Sequence, residues 1–162
     1  EQKNHLFLID VFKEFLEKNK RALLVLVGDG PLKKKVEEYV LANGLGNNVI
    51  FFGVREDIPQ ILTSLDLVIF PSKWEGLPLA LVEAQAAGVP CVVSDSITGD
   101  VDMQLGLIYR LSLNDPLEKW GEKIRMVINQ NRPTYKERID KIRQSGYDIL
   151  ECSKFLENIY LS

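Results

Sequence analysis

Apolar residues recur along the chain in two rhythms. Leu6, Ile9, Phe12, Phe15 and Leu16 fall three and four apart, so the spacing predicts an amphipathic helix over residues 4–18. Residues 22–27, Ala-Leu-Leu-Val-Leu-Val, are continuously apolar and stop at Gly28-Asp29-Gly30-Pro31. A strand buried on both faces, as parallel sheets require, reads this way. Helical spacing returns over 32–43 through Leu32, Val36, Tyr39 and Val40, and Gly44 and Gly46 punctuate the exit. The cycle then repeats. Strands are predicted at Val49–Phe52, Leu67–Phe70, Cys91–Ser94 and 107–111, with helices at Asp57–Ser64 and Pro78–Ala87 and a loop at Pro71–Leu77. Two or three more helices follow, near 115–130, 134–146 and 148–160.

Short strands alternating with helices predict an α/β fold: a Rossmann-like parallel sheet with helices on both faces, plus a C-terminal helical tail. No internal repeat or low-complexity stretch interrupts it. The best break is Asn129-Gln130-Asn131-Arg132-Pro133, dividing a sheet region, 1–128, from a tail, 129–162, packed on it. Within the tail, Lys136, Arg138, Lys141, Arg143 and Lys154 balance Glu137, Asp140, Asp148, Glu151 and Glu157, as on a solvated helix pair.

Length and charge narrow the function. A chain of 162 residues suits one domain with a full core. Its net charge of −3 speaks against a nucleic-acid partner held by bulk phosphate attraction. Cys91 and Cys152 match no metal spacing and read as free thiols in a reducing, cytoplasmic compartment. The single histidine, His5, leaves little room for a His-based metal site or a Ser-His-Asp triad. No metal site and no cofactor are expected. No apolar run approaches the ~18–20 residues of a membrane helix. Glu1-Gln2-Lys3-Asn4-His5 has no signal-peptide character, lacks an initiator Met and leads at once into a helix, so the chain reads as a piece of something longer.

In an open parallel sheet, ligands bind at the C-terminal ends of the strands, so chemistry is sought in the loops there. These are Gly28–Pro31, Gly53–Asp57, Pro71–Pro78 and Ser94–Asp102. The third is the most informative. Gly76 permits close approach of a ligand, and Pro78 is preset for a first helical turn. The amides of Leu79, Ala80 and Leu81 then form an anion site at a positive helix end. Glu83 lies about 7.5 Å along the helix from Pro78, suited to a hydroxyl group beside a phosphate rather than to the phosphate itself. Glu75 and Glu83 flanking such a tip outline a nucleoside diphosphate sugar. A Glu-x7-Glu pair alone is equally a pair of solvated surface carboxylates.

The surrounding residues add weight. Pro71-Ser72-x-x-Glu75-Gly76-Leu77-Pro78-x4-Glu83-Ala84-x-Ala86-x-Gly88-x-Pro90-Cys91-Val92-Val93 resembles the donor-site signature of family 4 retaining glycosyltransferases, which have the GT-B fold. Val27-Gly28-Asp29-Gly30-Pro31, Phe52-Gly53, Ser64-Leu65-Asp66-Leu67 and Lys3-Asn4-His5 resemble further family segments in the right order, over about residues 3–95. The resemblance implies that this is the C-terminal half of a GT-B fold with its first strand upstream. It implies that Glu83 binds the ribose hydroxyl groups and that Glu75, as a catalytic residue, contacts the transferred sugar. Gly76, Leu77, Pro78 and Leu79 would hold sugar and phosphate. Lys3 would stabilise the leaving diphosphate, facing the helix tip, with a partner arginine upstream. Gly28 and Gly30 form the first glycine turn, and Val54 and Arg55 line the base pocket. After Ser94 only fragments of the family pattern survive, in 96–107.

The function so implied is the donor-binding part of a transferase moving a sugar from a nucleoside diphosphate sugar to an acceptor, in polysaccharide or glycoconjugate synthesis. Family habit points to a uridine diphosphate sugar. The carbohydrate or lipid-linked acceptor would meet a separate N-terminal domain, so this chain alone would bind nucleotide at best. Peripheral membrane association of the full-length protein stays open. So do a non-catalytic, receiver-like nucleotide-binding module and a GT-B nucleotide-sugar isomerase. Asp29 is read as a turn former, Lys73 and Trp74 as flanking the site, Asp95 as a cap, and His5 as a surface or cap residue.

Overall fold

The computed structural model describes residues 2–161; Glu1 and Ser162, the outer ends of the two expected segments, lie outside the described residues. The elements run α1 (His5–Lys18), β1 (Leu24–Val27), α2 (Lys33–Ala42), β2 (Val49–Gly53), α3 (Ile58–Ser64), β3 (Val68–Phe70) and α4 (Leu79–Ala87). After them come β4 (Cys91–Ser94), a 3-10 turn at Gly99–Val101, β5 (Ile108–Leu111), α5 (Leu117–Val127), α6 (Tyr135–Gln144) and α7 (Ile149–Leu161). Each element that the apolar rhythm predicts is present, and the tail resolves into two helices after α5.

All strand pairs are parallel. β1 lies beside β2 with Leu24 opposite Val49, and β4 lies between β3 and β5 with Cys91 opposite Val68 and Ile108. The expected parallel sheet is present in two parts. Its hydrogen bonding falls into a two-stranded part, β1-β2, and a three-stranded part, β3-β4-β5. Burial follows from this. β4, paired on both sides, is wholly buried, whereas β1 and β3 each keep an open edge and are half-buried despite equally apolar sequences. Both parts nevertheless share one core: Leu24, Leu26 and Ile69 pack with Ile9, Phe12, Val92, Trp120 and Ile124.

Helix α1 runs beside α5, and its buried face is Leu8, Ile9, Val11, Phe12 and Phe15. Trp120 of α5 is fully buried and meets the Phe7 ring edge-on, centroids 5.3 Å apart. Gly121 makes room for Glu14, whose carboxylate lies 3.5 Å from Arg125. A second cluster of Leu81, Val89, Val93, Ile97 and Val101 seats α4.

Helix α4 ends at Gly88, whose φ of 77° only glycine adopts at low cost. The Arg138 side chain lies across that glycine and donates to the Ala86 carbonyl at 2.6 Å, tying α6 to α4. Arg132 donates to the carbonyls of Leu65 and Asp66, each at 3.1 Å. Helix α7 departs from the solvated pair expected of the tail. It buries none of its residues and exposes Ile149, Leu150, Phe155, Leu156, Tyr160 and Leu161. Among the described residues no helix is long and apolar enough to cross a membrane.

Candidate functional site

The loop between β3 and α4 is held from below and aimed from above. Ser72 and Ser94 are buried, and the Ser94 hydroxyl donates to the Ser72 carbonyl at 2.5 Å, fixing the loop to the end of β4. Helix α4 starts at Leu79, one residue later than the predicted Pro78. Pro78 is instead the cap residue, with φ −76° and ψ 94°, and no side chain caps the helix. The Leu81 amide donates to the Pro78 carbonyl at 2.9 Å, so it is not the open donor that the sequence suggests. Among the described residues the amides of Gly76, Leu77, Leu79 and Ala80 have no acceptor, and the first turn of α4 holds no acidic residue. Unpaired amides and the helix dipole together favour an anion there.

Leu79, Ala80 and Glu83 form the exposed side of α4, opposite buried Leu81, Val82, Ala84 and Gln85. Glu83 therefore shares a face with the open amides, about 6 Å further along the axis from Leu79. Its carboxylate makes no hydrogen bond or ion pair among the described residues.

Glu75 is different. Its side chain is only 9% exposed. The Lys3 ammonium stands 2.8 Å from Oε1, poorly directed for a hydrogen bond but a close charge partner. Gln2 donates from Nε2 to the other oxygen, Oε2, at 3.2 Å and to the Trp74 carbonyl at 2.9 Å. Lys3 also sits over the Phe70 ring, 5.1 Å from its centroid. The family resemblance implies separate tasks for these two residues, Lys3 at the helix tip and Glu75 on the sugar. The structure pairs them with each other.

The loops after β1 and β2 meet. The Gly28 amide donates to the Gly53 carbonyl at 2.7 Å, beside a shift in the strand register, and Gly28 takes a φ of 119°. Asp29 accepts from the Gly30 amide at 2.8 Å, the turn-forming role expected of it. Gly30 and Val54 are exposed. Arg55 is engaged within its own loop: Nε and Nη2 grip Asp57 at 2.8 and 2.7 Å, holding that carboxyl below its usual range. A cavity of about 320 Å³ lies between the starts of α1 and α2, lined by His5, Leu32, Lys35 and Lys73 among others. A hollow of about 510 Å³ on the tail side, around Gln104, Arg132 and Lys141, contains none of the expected residues. Among the described residues, no three His, Cys, Asp or Glu side chains gather as metal ligands would.

Two residues that support the site were not singled out from the sequence. Gln85 is fully buried on α4, donating to the carbonyls of Leu81 and Val101 at 3.0 and 2.7 Å and accepting from the Met103 amide at 3.0 Å. It ties α4 to the segment after β4. A polar residue in the Leu-Ala-Leu-Val-x-Ala-x-Ala run was its only signal. Gln2, next to Lys3, had none. His5 is held below its ordinary pKa by burial foremost and by the positive charge of Lys3, and burial pushes the Cys91 thiol up to about 12.

Residues 1–105 match the family model described as Glycosyl transferases group 1. The chain belongs to the group 1 glycosyl transferases. Within that group it is similar to EpsF of Bacillus subtilis (strain 168), 42% identical over 160 residues, which are 99% of this chain and 42% of EpsF. It is 40% identical over 97 residues to the UDP-Gal:alpha-D-GlcNAc-diphosphoundecaprenol alpha-1,3-galactosyltransferase of Escherichia coli, covering 58% of this chain and 25% of that one. Among solved structures, a mutant of S. aureus TarM in complex with UDP superposes with a TM-score of 0.78 at 21% identity, over 100% of this chain and 34% of TarM. Anabaena HepE in complex with UDP-glucose gives 0.73 at 21% identity, over 99% of this chain and 46% of HepE. The α/β fold thus matches part of these GT-B glycosyltransferase structures. The chain spans less than half the length of each of these relatives.

Proposed function

We propose that this chain is the donor-binding part of a retaining glycosyltransferase that moves a sugar from a nucleoside diphosphate sugar to an acceptor in polysaccharide or glycoconjugate synthesis. One observation carries the reading. An uncapped, acid-free helix tip at Leu79–Ala80 shares its exposed face with Glu83 and lies four residues past Glu75, the Lys3-paired carboxylate. A diphosphate on those amides leaves Glu83 for ribose hydroxyl groups and Glu75 for the sugar.

The chemistry asked of these residues is mostly electrostatic. As the anomeric bond breaks, negative charge grows on the departing diphosphate. The open amides are fixed donors, and Lys3 joins them once drawn from Glu75; their attraction strengthens with that charge, which lowers the barrier. Glu75 orients the sugar through its hydroxyl groups. Val54 and the Gly28–Gly30 turn border the base, and Arg55, held by Asp57, stiffens that loop. The donor read here is a UDP-sugar, which the UDP and UDP-glucose complexes of TarM and HepE support by analogy. The acceptor, carbohydrate or lipid-linked, would meet a separate domain in the cytoplasm or at the membrane face. A further parallel strand ahead of α1 would pair with the open edges of β1 and β3, giving one sheet for residues 1–128 with the tail docked through Arg132 and Arg138.

Thermal shift with UDP, GDP and flavin mononucleotide tests this. Stabilisation by UDP or GDP and not by the flavin is expected. A shift with the flavin alone would favour a different nucleotide-binding module.

A further inference from the structure

We propose that Gln2 is a positioning residue for Glu75. This rests on the reading that Glu75 receives the transferred sugar. The segment ahead of α1 lies across the loop after β3 because Asn4 turns the chain with a left-handed φ of 57°. Gln2 then touches three successive residues of that loop. Its carbonyl accepts from the Lys73 amide at 2.9 Å, and its side-chain amide donates to the Trp74 carbonyl at 2.9 Å and to Glu75 Oε2 at 3.2 Å. Lys3, the next residue, takes Oε1 at 2.8 Å. Adjacent residues thus hold the two carboxylate oxygens, one by a neutral amide and one by an ammonium.

The difference in charge gives the two holders different fates. A diphosphate at the tip of α4 draws the Lys3 charge towards itself. Gln2 has no charge to be drawn off, and its second bond, to the Trp74 carbonyl, anchors its side chain to the loop backbone. Gln2 therefore keeps the Glu75 carboxylate aimed while Lys3 turns to the phosphates. A carboxylate so nearly closed off from water otherwise has no partner with which to hold its rotamer.

The test uses the full-length enzyme, UDP, and whichever of UDP-glucose, UDP-galactose and UDP-N-acetylglucosamine the wild type binds most tightly. Gln2→Leu keeps the backbone bond to Lys73 and removes both side-chain bonds. It is expected to leave UDP affinity within about twofold, weaken the UDP-sugar about tenfold and lower kcat. In a Glu75→Ala background, Gln2→Leu should cause no further loss of UDP-sugar binding. Hydrogen exchange at the Lys73 amide should stay slow in Gln2→Leu. Equal losses for UDP and UDP-sugar, additive losses in the double variant, or fast exchange at Lys73 would each overturn the proposal, leaving Gln2 a general support of the loop. If Glu75→Ala separates sugar from UDP but Gln2→Leu does not, the Gln2 proposal alone falls. If Glu75→Ala itself fails to separate them, the sugar role of Glu75 falls and the Gln2 proposal with it.

Discussion

Removing the Glu75 carboxylate should tighten the binding of bare UDP while weakening the binding of UDP-sugar. In the unliganded site the Lys3 ammonium is 2.8 Å from Glu75 Oε1, so a diphosphate must compete for it. Lys3 is 52% exposed, and solvent there keeps the pair near the worth of a surface ion pair, about 0.2–1 kcal/mol. Freeing Lys3 by Glu75→Ala therefore strengthens UDP binding roughly 1.4- to 5-fold. Raising the salt from about 0.05 to 0.5 M should shrink that gain, because the Debye length falls from about 14 to about 4 Å and screens the partly exposed Lys3 charge. The sugar moves the other way. Hydrogen bonds to a carboxylate contribute about 1.5–3 kcal/mol, so UDP-sugar loses roughly tenfold or more against UDP. Isothermal titration of wild type and Glu75→Ala with both ligands at the two salt levels reads all three quantities. Weaker UDP binding in Glu75→Ala with an unchanged ratio of UDP-sugar to UDP would rule out both the competition for Lys3 and the sugar contact of Glu75.

Other parts of the molecule make further predictions. Gly121→Ala sets a Cβ 1.4 Å from the Glu14 carboxylate, which swings off Arg125; that loss is offset by roughly 0.5–1 kcal/mol of helix propensity, so the urea midpoint should move by no more than the equivalent of about 1 kcal/mol, and a larger fall would show that Glu14 cannot give way. His5 is held below its ordinary pKa, so the unfolded chain binds the proton more readily, and stability should fall as pH drops through about 6.5. Comparing Tm between pH 7.5 and 5.5 in wild type and His5→Asn checks the sign, since the variant should lose that part of the slope. Extending the chain ahead of residue 1 with Val-Ile-Phe-Val-Gly should raise Tm by several degrees where a Gly-Ser extension of equal length does not, if the edges of β1 and β3 take a parallel strand.

The elements were legible because each apolar run is paired with the residue that ends it. Ala22–Val27 stops at Gly28, and the α4 run stops at Gly88, whose positive φ a Cβ would strain. The position of Glu83 along α4 was legible too, since helix rise alone sets its distance from Pro78. Contacts across long sequence separations were not. Nothing local to Lys3 shows that it would turn to Glu75, or local to Gln2 that it would span Lys73–Glu75. The half-burial of β1 and β3 was hidden for a related reason. Apolar composition reports what a strand can bury, whereas β1 and β3 are half-buried through the neighbour each lacks. Nor did its place in a motif show that Arg55 would grip Asp57, a bidentate partner two residues on.

The claim on which the rest depends is that a nucleoside diphosphate sits on the tip of α4 with its ribose at Glu83. Titrating UDP into the isotope-labelled chain, in wild type and Glu83→Gln, tests it residue by residue. The amides of Gly76, Leu77, Leu79 and Ala80 should shift together on one binding curve, with Val54 following, and Glu83→Gln should weaken that curve roughly tenfold. Shifts confined to the hollow around Gln104 and Arg132, or equal affinity in the two proteins, would contradict it.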